Sequence, residues 1–147
     1  ANTMATRSTI ALEYADGTVG QVYCHWDGYL ENNGRILAEH YQDPFKVRDL
    51  IDLGAISSLR PELGEKQDFD ARYTGGDVRE DWTLVYARDR GEDLVKHSFK
   101  DFEDYKANHQ YEEYEYILRK DGNWYVSKYN GPYVLLSEAL ATVKEAA

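Results

Sequence analysis

Apolar and polar residues alternate in two short runs near the start of the chain, at 8–14 and 19–26, with Asp16-Gly17 between them. A period of two is typical of strands, so the runs predict a β-hairpin. The Asp-Gly turn allows either a two-residue loop or a three-residue loop with a G1 bulge, and these differ by one residue in register. We expect the bulge because it gathers the apolar side chains on one face: Ile10, Leu12, Tyr14, Val22, Cys24 and Trp26.

The bulged register turns Gln21, Tyr23 and His25 toward the opposite face of the hairpin. The two-residue turn would instead place these three side chains beside Ile10 and Leu12. The cross-strand pairs expected with the bulge are Ser8 with Cys24, Ile10 with Val22, and Leu12 with Gly20.

Helical periodicity follows the hairpin. An apolar stripe predicts a helix over 28–41 with Asp27 as its N-cap. Asp43-Pro44 is a second start signal, an N-cap followed by proline at the first helical position, and this helix ends before Gly54. The side chains expected to be buried are Leu30, Asn33, Leu37 and Tyr41 in the first helix and Val47, Leu50 and Ile51 in the second.

The middle of the chain is polar and irregular. Residues 59–80 predict a long loop with at most a short strand at 69–73, and a loop of this length is either mobile or functional. Residues 82–88 alternate with apolar side chains on both faces, which predicts a central strand. Ser98 and Asp101 resemble a capping box before a short helix that buries Phe99, Phe102 and Tyr105.

A second hairpin is predicted from 114–119 and 124–129, which flank Asp121-Gly122, and a final helix begins near Leu136. The order is ββααβαββα. This order indicates one α+β domain over 4–147, with a largely antiparallel sheet of about five strands and helices mainly on one face. Residues 1–3 precede Met4 and are interpreted as a remnant of expression.

Charge and cysteine content narrow the function classes. The chain of 147 residues carries a formal net charge of −10, which argues against direct binding of nucleic acid because phosphate contacts need clustered Lys and Arg. A basic protein surface is the expected partner, and self-association into a homo-oligomer is left open. The single cysteine suits a reducing compartment, and no segment has the length and apolarity of a membrane span or a signal peptide.

No segment carries a catalytic, metal-binding or phosphate-binding motif. Cys24 and His25 are neighbours on a strand, so their side chains point to opposite faces and cannot act as a nucleophile and its base. We expect Cys24 to be buried, and no catalytic residue, metal or cofactor is predicted. An enzyme built around His25 and Asp27 is the least favoured of three function classes.

Tyrosine and carboxylate residues are interleaved near 111–116, and a predicted helix carries more carboxylates just before them. Tyrosine supplies contact area at low entropic cost, so this composition predicts a protein-binding surface. The alternative is a binding or sequestering site for a nucleotide-like small molecule, held by aromatic stacking and an arginine fork. The protein-binding residues would be Asp101, Glu103, Asp104, Glu112, Glu113, Tyr114, Glu115 and Tyr116, and the ligand-binding ones Tyr23, His25, Tyr29 and Arg88.

The segments ATRSTIAL, DGTV, VYCHWDGYL, NNGRIL and EHY, with the later GAISSL and ARDRGE, resemble a family of small accessory proteins of tailed bacteriophages and of their relatives integrated in bacterial genomes. The resemblance covers most of the chain from Ala5 and brings no activity or site residues. It implies a phage accessory gene acting in the bacterial cytoplasm. The resulting expectation is a non-enzymatic protein that inhibits a host defence system, such as a CRISPR effector or restriction complex, by protein contact.

Overall fold

Eight strands form one mixed sheet. A computed structural model describes residues 5–146, with side chains from 5 to 143, so the interpretation of 1–3 falls outside the described residues. The strands are β1 Ser8–Glu13, β2 Val19–Cys24, β3 Ile56–Ser58, β4 Leu84–Val85, β5 His97–Phe99, β6 Tyr114–Leu118, β7 Trp124–Lys128 and β8 Val134–Leu135. The spatial order is β4-β3-β2-β1-β6-β7-β8, with β5 also paired to β2. The α+β class is therefore confirmed, but the prediction of about five strands is wrong.

The helices are short. A π-helical segment, Leu30–Gly34, runs directly into α1 Arg35–His40. The others are α2 Pro44–Ile51, α3 Ala71–Thr74, α4 Tyr86–Arg90, α5 Phe102–Asn108 and α6 Leu136–Ala146. None of the helices in residues 5–146 combines the length and apolarity that a membrane span requires.

The first hairpin has the bulged register predicted from the sequence. β1 and β2 are antiparallel, and Gly17 takes a φ of +91° in the turn. The predicted apolar face is confirmed for Ile10, Leu12, Val22 and Cys24, which lie in the main core. All three expected cross-strand pairs are present, namely Ser8 with Cys24, Ile10 with Val22, and Leu12 with Gly20.

Two cores lie on opposite faces of the sheet. The larger one is formed by α1, α2 and α6 against β1, β2 and β6. It includes the apolar residues predicted to be buried in the first two helices, and the polar Asn33, which was predicted with them, is also buried. The smaller one lies beneath α5, where Tyr105 packs on Ala11 and Ile117. β6 lies between β1 and β7 and is covered on both faces.

Several predicted elements are wrong. Residues 82–88 form only the two-residue edge strand β4 and then α4, because the Asp89 carboxylate accepts a hydrogen bond from the Val85 amide and starts a helix there. The predicted strand at 69–73 is absent, and the single helical turn α3 begins there at Ala71. At α5 the N-cap is Asp101, whose carboxylate accepts from the Asp104 amide, so Ser98 does not cap this helix and instead lies in β5.

The predicted cap of the first helix is also wrong. Asp27 has a φ of +56°, and the π-helical segment begins three residues later at Leu30, with Tyr29 as N-cap and no side-chain cap. By contrast, Asp43 caps α2 as predicted, accepting a hydrogen bond from the Phe45 amide. Trp26 is 40% exposed rather than buried, because the chain leaves β2 at Cys24 and the alternation ends there.

Candidate functional site

The predicted tyrosine and carboxylate surface is largely buried. Tyr114, Glu115 and Tyr116 lie in β6, and each of them is at most 7% exposed. The reason is the position of β6 in the middle of the sheet, with a helix layer on each face. These three residues cannot form the solvent-facing part of a partner surface, and that part of the prediction is corrected.

Tyr114 and Tyr116 have structural contacts on the main core side. The Tyr116 hydroxyl donates to the Gly28 carbonyl at 2.6 Å, and the two tyrosine rings are stacked. Burial raises the pKa of Tyr114 to about 12. Tyr116 therefore ties β6 to the backbone just before the π-helical segment.

The remaining predicted carboxylates stay at the surface. Glu112 and Glu113 are partly exposed, and Glu103 is exposed and paired with Lys106 at 3.1 Å. Asp101 is the α5 cap described above. Asp104 accepts from the Lys100 amide and from the Asn108 side chain. These hydrogen bonds hold the pKa of Asp104 below its usual range, so part of this acidic cluster stabilises the helix.

The residues of the predicted ligand site are only partly brought together. The Tyr23 hydroxyl lies 2.6 Å from Nδ1 of His25, which confirms that they share a face. Burial raises the pKa of Tyr23, and burial followed by the nearby Arg7 lowers that of His25. Tyr29 is 37% exposed. The Arg88 guanidinium is not available to a ligand, because it already donates to Asp89 and to the carbonyls of Leu63 and Thr83.

Cys24 is buried, as predicted. Its thiol lies 3.8 Å from the Trp26 carbonyl and 3.4 Å from Nδ2 of Asn33. Burial raises the pKa of the Cys24 thiol to about 11. The thiol is therefore protonated and packed in the core at neutral pH.

A groove of about 560 Å³ lies where the long loop at 59–80 faces the segment that follows β2. We call it the arginine groove. The long loop supplies most of its lining, and Trp26, Asp27 and Asn32 supply the opposite wall. Its principal side chains are Trp26, Asp27, Asn32, Arg60, Asp68, Phe69, Arg72, Tyr73, Arg79 and Glu80.

The long loop at 59–80 is held in place by polar contacts with residues 83–89. Arg88 and the buried Asp89 form an ion pair at 2.8 Å, and Asp89 also accepts from the Gln67 amide. The Thr83 hydroxyl bridges the amide and the carbonyl of Arg60. The loop predicted to be either mobile or functional is therefore tied to α4 and to Thr83.

Three guanidinium groups line the groove although the chain is acidic overall. Arg72 is paired with Glu80 at 3.5 Å, and Arg79 is paired with Asp77 at 3.6 Å and lies over the Trp82 ring. Arg60 differs, because its guanidinium donates only to the carbonyls of Arg79 and Trp82 and forms no ion pair with a described carboxylate.

The charge on Arg60 is only partly compensated. Burial lowers its pKa, the negative charge of Glu80 opposes that shift, and the neighbouring Arg72 adds to it. A guanidinium is nevertheless charged at any physiological pH. The floor of the groove therefore holds a half-buried positive charge that lacks a direct anionic partner among the described residues.

The opposite wall has an unusual backbone. Asp27 lies in the left-handed region, which is uncommon for a residue other than glycine, and the Asn32 side chain donates to its carbonyl. The π-helical segment comes next, and π-helical turns are frequent at functional sites. The Trp26 amide donates to the Ser57 carbonyl, which holds the exposed indole at the edge of the groove.

Sequence reasoning missed the arginines of this groove. Arg60, Arg72 and Arg79 are spread over twenty positions in a segment with little periodicity. The usable signal in the sequence was the occurrence of three arginines in a polar loop of an acidic chain.

The chain was compared with known protein families, with curated proteins and with solved structures, and none of the three comparisons finds a match. Within the part of the chain that the structure describes, no three His, Cys, Asp or Glu side chains converge as a metal site would need.

Proposed function

We propose that this protein binds a small anionic ligand with a planar ring, of the nucleotide class, in the arginine groove. The observation that carries the proposal is Arg60, a half-buried guanidinium whose hydrogen bonds go only to carbonyl groups. Phosphate and carboxylate groups bind guanidinium with charge-assisted hydrogen bonds. An anion at this point would compensate the charge of Arg60.

The ring of the ligand has a partner on the opposite wall. Trp26 is 40% exposed and lines the groove, and an exposed indole offers a flat face for stacking. Tyr73, which is 86% exposed, lines the same groove from the loop side. The groove has a volume in the range of small-molecule sites.

Calorimetric titration with ATP, adenosine and inorganic triphosphate tests the proposal. We expect ATP to bind more tightly than either part, and Arg60→Gln to weaken ATP at least tenfold. The matched control is Arg48→Gln, which removes an exposed arginine of α2 outside the groove. Trp26→Ala should weaken ATP and adenosine while leaving triphosphate unchanged. Failure of all three probes to bind the wild-type protein would reject the proposal.

A second candidate is contact with a basic host protein, as a phage-encoded inhibitor of a bacterial defence complex. The net charge of −10 favours it, and the available carboxylates are those that remain exposed or partly exposed near α5, among them Glu103, Glu112 and Glu113. Such charges act mainly on the association rate and are screened by salt.

The two candidates differ in what the protein retains. Immobilised protein would be exposed to a bacterial lysate and the eluate divided into nucleotides and proteins. Retention of a nucleotide that is lost in Arg60→Gln supports the groove. Retention of a protein would support the acidic contact if two conditions hold. Association with that protein must be slower for the double variant Glu112→Gln, Glu113→Gln, and it must be unchanged for Arg60→Gln.

A further inference from the structure

A second cavity, of about 440 Å³, lies on the α5 side of the sheet. Five of its twelve lining residues carry aromatic rings, and the lining comes from α5, the segment after it, β6 with Arg119, β7 and the connection from β7 to β8. We call it the aromatic pocket. Its rings are those of Phe102, His109, Tyr111, Tyr125 and Tyr133.

Glu115 forms the inner end of the aromatic pocket. Its side chain is only 1% exposed, and neither carboxylate oxygen receives an aligned hydrogen bond from a described residue. Nε2 of His109 lies 2.6 Å from Oε2, so the two are an ion pair when the imidazole is protonated, but the N–H is not directed along this contact. Oε1 has no partner among the described residues, so the carboxylate keeps capacity for one further donor or cation.

The rings of the pocket already attract cations. The Arg119 guanidinium lies 3.6 Å from the centre of the Phe102 ring, and the Lys106 ammonium lies 4.9 Å from it. Both cations are neutralised by carboxylates, Arg119 by Glu13 and Lys106 by Glu103. Arg119 and Lys106 thus do not cancel the charge of Glu115, whose cationic contact among the described residues is His109 when its imidazole is protonated.

We propose that the aromatic pocket binds a small organic ammonium ion. Aromatic faces attract such ions through the quadrupole of the ring, and desolvation strengthens the attraction. A buried carboxylate next to the rings supplies the opposite charge. The site is separate from the arginine groove, with which it shares no lining residue, and it takes a ligand of opposite charge.

Choline and benzoate are suitable probes because one is an ammonium ion and the other an anion of similar bulk. Titration followed by NMR should show choline shifting the resonances of Tyr111 and Tyr133, with a dissociation constant in the millimolar range, and benzoate shifting neither. The proposal would be overturned if choline did not shift these resonances, or if benzoate shifted them as much as choline does.

Variants of exposed residues test the walls without disturbing the fold. Tyr111 is 52% exposed, and Tyr111→Ala should weaken choline at least fivefold. The matched control is Tyr129→Ala, a tyrosine that is 63% exposed and outside the pocket. Lys106→Gln should strengthen choline binding about twofold or more, because it removes a competing ammonium from the Phe102 ring. Unchanged affinity in both Tyr111→Ala and Lys106→Gln would contradict the site.

Glu115→Gln tests the charge at the inner end. Choline affinity should fall at least tenfold, whereas Glu113→Gln, which removes a carboxylate outside the pocket, should leave it unchanged. Equal affinity in folded Glu115→Gln and wild type would reject the role of Glu115. If Glu115→Gln does not fold, the Tyr111 and Lys106 variants decide.

Discussion

His109 and Glu115 form an ion pair that is almost completely removed from solvent, with 2.6 Å between Nε2 and Oε2. The other ring nitrogen, Nδ1, lies 2.5 Å from the Tyr105 carbonyl. A neutral imidazole has one N–H, so both contacts are favourable together only when His109 is protonated. This pair links the end of α5 to the centre of the sheet.

The stability of the protein should therefore depend on pH through His109. Burial alone lowers the pKa of His109, but the adjacent Glu115 carboxylate and the Tyr105 carbonyl raise it by more, so the net shift is upward. The folded state thus holds this proton more tightly than the unfolded state. The contribution to stability is full below the pKa of an unfolded histidine and is lost as the pH rises through the folded-state pKa.

Urea unfolding of wild type and His109→Gln across pH 5 to 10 measures this contribution. The difference in unfolding free energy between the two proteins should shrink as the pH rises. A difference that is constant over this range would contradict the raised pKa.

The two residues should be more costly to change singly than together. His109→Ala leaves a buried carboxylate without its partner, and we expect a loss of about 3–5 kcal/mol. The double variant His109→Leu, Glu115→Leu removes both charges and should be clearly more stable than His109→Ala. A double-mutant cycle of His109→Leu, Glu115→Leu and the double variant, measured by chemical denaturation, gives the coupling energy, and additive single effects would show that the pair is not coupled.

Cys24 should be unreactive in the folded protein. Its side chain is fully buried, so a reagent cannot reach the sulfur. Its thiol pKa is raised to about 11, so little thiolate is present near pH 8. A thiol reagent such as DTNB should label it only at the rate of global unfolding, and completely in denaturant. Stoichiometric labelling of the native protein within minutes would be incompatible with this core.

The hairpins were predictable because their signals are local. Asp16-Gly17 permits only two registers, and the burial pattern of the flanking strands selects one of them. The caps at Asp43 and Asp101 are similarly local, although only the first was assigned to the correct residue. The strands β5 and β8 have three and two residues, which is too short for any periodicity to appear.

Long-range pairings were not predictable in the same way. β1 pairs with β6 in parallel across about one hundred positions, and this pairing is what buries Glu115. In the sequence Glu115 looks like a solvated carboxylate between tyrosines. The arginine groove depends on how the loop returns to the sheet through the Arg88 and Asp89 pair, which a lone Arg-Asp dipeptide does not indicate.

Trp26 and Trp124 should differ in their contribution to stability. Trp124 is 7% exposed and its indole N–H donates to the Tyr41 carbonyl at 2.9 Å, so Trp124→Ala should cost about 3–5 kcal/mol. Trp26 is 40% exposed, and Trp26→Ala should cost less, about 2 kcal/mol. Thermal and urea unfolding of both variants compares them directly. A cost for Trp26→Ala equal to that of Trp124→Ala would restore the sequence-based expectation that Trp26 is a core residue.

Gly64 should be among the most sensitive positions of the loop. It has a φ of +68°, and an added Cβ would lie 2.3 Å from Cγ of the Trp82 ring, well inside contact distance. Gly64→Ala therefore combines backbone strain with a clash against a ring, and we expect a loss of about 2–4 kcal/mol. The Trp82 ring also supports Arg79, so the same change should weaken ligand binding in the arginine groove.

Gly75 provides the control that separates the two causes. Its φ is +79°, close to that of Gly64, but an added Cβ would meet nothing within 4 Å. Gly75→Ala should cost only about 1 kcal/mol, the penalty of a left-handed alanine. If urea unfolding shows the same loss of unfolding free energy for both variants, the close approach of Gly64 to Trp82 contributes nothing to the cost. The difference between them measures the clash, because the strain at positive φ is common to both.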